Sequence, residues 1–241
     1  MKNNNKKSII SIFVFFITLL LSISIIMANN SSKKTNSEIN KEKIYYEIKY
    51  FDSQIIYMIN LLNNIEESAN FYIDWQELQK QSKMLHSYWN SAILDFNYLN
   101  LDKSYLTDFG KELDNLSVSI NNKDKQNTVN KLLSLYNKLL FYSETLNDFY
   151  YNTILTIKYN LINAYGVVEP ENWTLTHEYI LKASENVSNL VNSIENDKYN
   201  QYNINQAYIA VKELENLINL KDINIFYLKY NIAIDQIQKI E

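Results

Sequence analysis

From Ile44 onward an apolar side chain returns in alternating steps of four and three: Ile44, Ile48, Phe51, Ile55, Met58, Leu62, Ile65 and Ala69. Only an α-helix gathers such a series onto one continuous face, and that face must then be hidden against other helices. Ser37 is the expected cap at its start. The chain carries two Gly and one Pro in 241 residues. Sheet-based folds need many tight turns made by those residues. Both features predict an all-α protein.

The pattern continues to the end of the chain. Asp74 with Glu77 forms a partial capping box before Trp75, Leu78, Leu85, Trp89, Ile93 and Phe96. Asp102 or Ser104 opens a third helix with Leu106, Phe109, Leu113, Leu116 and Ile120 on one face and Gly110 inside it. Asp124 caps a fourth, whose stripe runs unbroken from Val129 to Ala164 and is expected to stop at Gly166. About forty residues would make it a rod of roughly 60 Å. Pro170 suits the first turn of a fifth helix carrying Trp173, Ile180, Val187 and Leu190. A sixth is expected from about Asn203 and a seventh from Asp222 to near Ile240.

The halves echo one another. Trp75 and Trp173 each open a helix, Asp124 and Asp222 each cap one, and both pairs lie 98 residues apart. "KELDNL" at Lys111 and "KELENL" at Lys212 lie 101 apart, which calls for two loops that differ by three residues in compensating directions. The expected architecture is an internal duplication: two tandem antiparallel helical bundles, residues 38–145 and 146–241, sharing the long fourth helix. The heptad stripe of the helix over residues 38–70 would suit a homo-oligomer if its own bundle left it unpaired.

Ahead of the body, Ser8 to Ala28 contains no charge, long enough to cross the hydrocarbon core as a helix. Residues 1–28 are read as a membrane anchor or uncleaved signal, and residues 29–37 as a flexible tether. Lys2, Lys6 and Lys7 precede the span and Lys33, Lys34, Lys41 and Lys43 follow it, so charge hardly sets its direction. The short basic start resembles an export signal and puts the body outside the cytoplasm.

Several chemistries are disfavoured. There is no Cys, hence no disulfide, thiolate site or Cys nucleophile. There is no Arg, and the net charge is −4, which argues against nucleic acid as a partner. The 20 tyrosines fall at helical spacing and read as core rather than as a sugar-binding surface. His86 has Lys83, and His177 has Thr174, where a bundle metal site would place Glu. No Gly-x-Ser-x-Gly turn or Gly-rich phosphate loop is present. No catalytic residue, metal ligand or cofactor is therefore expected.

The least repetitive cluster is His86, Tyr88, Trp89 and Asn90, the candidate site for a ligand or partner protein. No motif ties the chain to a family. The expected role is non-enzymatic: a membrane-anchored extracytoplasmic bundle that binds a partner or ligand, or spaces the envelope. The alternatives are a sensory ectodomain acting through a separate partner and a helical-bundle metal-binding protein.

Overall fold

The computed structural model describes residues 36–62, 73–99, 101–169, 171–193 and 198–240. Among the described residues eight α-helices follow one another: α1 (Asn36–Leu62), α2 (Trp75–Phe96), α3 (Lys103–Asn121), α4 (Lys125–Glu144), α5 (Phe149–Val168), α6 (Trp173–Ser193), α7 (Lys198–Leu217) and α8 (Ile223–Gln238). They contain no strand. The apolar run at residues 8–28 lies outside the described residues, as do Ile65, Ala69 and Pro170. Among the described residues no helix is long and apolar enough to cross a membrane.

Short acidic or amide side chains start most of the helices by accepting from free backbone N–H groups. Asp74 accepts from the amide of Glu77 at 2.9 Å, Asp102 from Ser104 at 2.8 Å and Asp124 from Asn127 at 3.0 Å. Asn172 accepts from Leu175 at 3.2 Å, and Asp222 from Asn224 at 2.9 Å and Ile225 at 3.0 Å. Glu77 does not close a capping box; its carboxylate turns to Gln81 and Lys80 instead. Ser37 lies inside α1 rather than at its cap.

The long shared helix does not exist as one rod. It is broken by a turn at Thr145–Asn147, where Asn147 takes the left-handed conformation at φ 56°. Asp148 then accepts from the Tyr151 amide at 3.0 Å and starts α5. Asn and Asp perform here what Gly usually performs, because their short polar side chains tolerate that conformation and cap the next helix. Gly166 is likewise not a terminal cap. It sits within α5, where an added Cβ would stand 2.7 Å from Leu133 Cδ1 and 3.3 Å from Val129 Cγ1. It lets α4 and α5 approach.

Consecutive helices from α2 to α8 lie side by side, and α5 also meets α8. α1 packs on α2 through Tyr50 and Tyr88 and reaches α4 and α5 through Asp52. Tyr45 touches Tyr151, and Asp52 pairs with Lys158, each across 106 residues, so α1 and α5 run parallel and in step. Residues 41–241 form one compact unit with one continuous apolar core. The α1 stripe, from Ile44 to Leu62, is spent in that core at 0–1% exposure.

Correspondence between the halves holds at a single spacing of 98 residues. Lys123 and Lys221 both take left-handed backbone before a capping Asp, at φ 53° and 49°. Each buried apolar residue of α2, α3 and α4 has a buried residue 98 positions later, save Phe96, whose counterpart lies outside the described residues. Leu106 answers to Ile204, Leu113 to Val211 and Leu132 to Tyr230, all buried. No compensating loops are needed. The Lys-Glu-Leu likeness, 101 apart, is not the structural match, since Leu214 occupies the place of Leu116, not of Leu113. A three-residue slip turns a helix by about 300°, nearly a full circle, so similar surface patterns recur at it by composition alone.

Candidate functional site

His86, Tyr88, Trp89 and Asn90 occupy neighbouring positions on α2. Each successive residue turns by about 100°, so they face different surroundings. Trp89 points inward; it is 4% exposed and lies over Phe109 with ring centroids 4.3 Å apart. Gly110 lies beside it, where a Cβ would stand 3.4 Å from the indole Nε1. Tyr88 faces α1 and stacks on Tyr50 at 3.7 Å. Burial raises the Tyr88 phenol pKa, and the hydrogen bond to Glu47 and its charge raise it further. Asn90 is exposed. The four side chains therefore face separate surroundings rather than one common space.

His86 turns to α3. Its Nε2 lies 2.9 Å from Ser117 Oγ and 3.2 Å from the Leu113 carbonyl, and Ser117 Oγ is 2.7 Å from Ser82 Oγ. Its Nδ1 lies 3.9 Å from the Asp114 carboxylate. Ser, His and Asp thus stand in the order of a nucleophilic triad. The geometry works against that use. The Ser117 hydroxyl also lies 3.2 Å from the Leu113 carbonyl four residues back, an acceptor for its proton other than the imidazole. The Asp114 contact is too long for a hydrogen bond. Ser117 also sits inside α3, where backbone N–H groups are engaged along the helix and none is free to form an oxyanion hole. What the group does is tie α2 to α3.

The equivalent positions of the second half hold different residues and do not repeat this tie: the Ser184 hydroxyl finds no hydrogen-bond partner among the described residues. Ser184 replaces His86, Glu215 replaces Ser117 and Lys212 replaces Asp114. Burial works to raise the Glu215 carboxyl pKa, but Lys212, 2.8 Å away on the same helix, outweighs it and leaves the pKa below its ordinary value. The His86–Ser117 tie between neighbouring helices therefore has no counterpart at the equivalent positions.

Beside the His86–Ser117 bridge, Gln79, Ser82, Lys83, Ser117, Ile120 and Asn121 line a groove of 150 Å³. A second groove, of 330 Å³, lies by Tyr105, Phe141 and Glu144 at the meeting of α3 and α4. An open hollow of 370 Å³ runs along α2 by Lys80 and Met84. None of these has His86, Tyr88, Trp89 or Asn90 in its wall. Among the described residues no group of three or more His, Asp or Glu side chains is placed to hold a metal ion.

Two polar clusters were not anticipated from the sequence. Asp52 and Lys158, both fully buried, pair at 2.7 Å, and the Tyr136 hydroxyl donates to the other Asp52 oxygen at 2.6 Å. At one end of the helices Glu169 accepts from Lys125 and, at 2.9 Å, from the Tyr227 hydroxyl. A signal for the first existed: Ile48, Asp52 and Ile55, like Ile154, Lys158 and Leu161, place a charge in step with the apolar stripe.

Comparison with known proteins gives no parallel: no protein-family model, no curated protein and no solved structure matches this chain.

Proposed function

We propose that this chain is a non-enzymatic protein, tethered to a membrane by residues 8–28, whose duplicated helical body works outside the cytoplasm by binding a partner. The observation that carries the non-enzymatic part is that the second half does not keep the His86 arrangement. The one Ser–His–Asp arrangement among the described residues has as its counterpart Ser184, Glu215 and Lys212, with no histidine and with only Glu215 and Lys212 in contact. What the first-half group does is join α2 to α3 through His86, Ser117 and Ser82, a packing role that needs no catalysis. The duplication rests on the constant 98-residue correspondence of caps, left-handed lysines and buried positions. The tether reading rests on the uncharged run and the polar stretch after it.

The catalytic question is tested with an activated ester and the full chain. Ser117→Ala should leave any turnover unchanged while lowering the unfolding temperature. A burst of acylation that requires Ser117 would overturn the reading. Protease treatment of intact cells addresses the tether: the helical body should be cut while cytoplasmic markers survive, and a protected body refutes the orientation.

A further inference from the structure

The two halves share a core pattern and part company on one outer surface. Ile225, Leu228 and Ile232 recur at steps of three and four on α8 and are 36%, 58% and 37% exposed. Ile209 of α7 and Leu220 just after it are 49% and 60% exposed. The Lys229–Glu213 ion pair at 2.6 Å and the hydrogen bond from Asn203 Nδ2 to the Lys239 carbonyl at 2.9 Å set the antiparallel register of α7 and α8. That register brings Ile209 alongside Ile232, so these side chains form one strip over the hairpin. The positions 98 residues earlier hold Asn127, Asn130, Ser134, Lys111 and Asn122. Burial within the chain asks the same of both halves, so it does not account for apolar residues on this face alone.

We propose that a second copy of this chain covers the α7–α8 strip in a two-fold homodimer. Charge selects the occupant. In the middle of the strip stand one cation and one anion, Lys229 and Glu213, with side chains 28% and 50% exposed. A two-fold rotation about that point sets each Lys229 against Glu213 of the second copy and lays apolar residues on apolar residues. A surface with one charge of each sign at its centre is its own complement. An anionic membrane would call for a basic rim, whereas here Asp222 and Asp235 alternate with Lys221 and Lys239. The strip on α1 is unavailable for the purpose because its own chain buries it. The dimer stands or falls apart from the membrane tether.

The absence of cysteine makes the test direct. In the full chain, a bis-maleimide cross-linker of about 10–15 Å, which spans the roughly 8–10 Å between neighbouring helices, should join Leu228→Cys chains into a dimer, while Asn130→Cys, its counterpart, stays monomeric. Equal linking at both sites, no linking at Leu228→Cys, or linking to a protein of different mass each overturns the proposal. A charge exchange tests the symmetry in non-ionic detergent by sedimentation. Lys229→Glu and Glu213→Lys should each weaken the dimer about ten-fold or more, and their equimolar mixture should restore it. The native pair is exposed and contributes little to folding, which circular dichroism of each variant checks. A mixture no tighter than either variant alone refutes the two-fold arrangement.

Discussion

Asp52 and Lys158 carry full charges into a core otherwise built of Ile, Leu, Phe and Tyr. Such a pair offsets its own desolvation only while both partners are present. Asp52→Ala strands the Lys158 ammonium and the Tyr136 hydroxyl, and should cost about 3–5 kcal/mol in urea unfolding. Replacing both charges, as Asp52→Leu with Lys158→Met, should cost far less or even stabilise, which a double-mutant cycle will show. Tyrosine hydroxyls follow the same rule. Tyr136 has a partner in Asp52, whereas the hydroxyls of Tyr165 and Tyr230 find none among the described residues. Tyr136→Phe should destabilise by about 1.5–3 kcal/mol, since its hydrogen bond ends on a charged group. Tyr230→Phe, which removes an unsatisfied buried group, should leave the midpoint unchanged or raise it.

For the helices, what each side chain meets decides more than propensity does. Both glycines lie inside helices, where alanine is favoured by about 1 kcal/mol. At Gly110 the new methyl meets the Trp89 ring edge at 3.4 Å, an ordinary contact, so Gly110→Ala should raise the thermal midpoint. At Gly166 it meets Leu133 at 2.7 Å with Val129 close behind, so Gly166→Ala should lower it. Helix starts were readable because capping is local: Asp74, Asp102, Asp124 and Asp222 all act where the sequence placed them. The break before α5 was not, because Asn147 and Asp148 are common surface residues and become a stop only when the turn is made. The candidate site had the same limitation. His86 was visible as an unusual residue, but its partner Ser117 is 31 residues away and on another helix.

Across the whole molecule, buried phenols set the response to alkali. Burial raises the pKa of Tyr142, Tyr165, Tyr227 and Tyr230 above the ordinary phenol value of 10.0. Below that value both folded and unfolded chains hold these protons and stability is complete. Above it the unfolded chain loses them first, so stability falls as pH rises, by about 1.4 kcal/mol per pH unit for each such phenol. Absorbance of tyrosinate should therefore rise in two stages, exposed rings first and the buried set together with loss of helix. A smooth single titration with helix intact would contradict the burial.

The sequence by itself determined that this protein is helical and where most helices begin, because helix formation and capping are decided by residues within a few positions of one another. Tertiary structure alone decided that the long helix folds back at Asn147, that Asp52 finds Lys158, and that the 98-residue register rather than the Lys-Glu-Leu likeness relates the halves. Each of those depends on side chains far apart in the chain meeting where water is excluded. The energy of such a meeting belongs to the packed pair and is not a property of either residue alone.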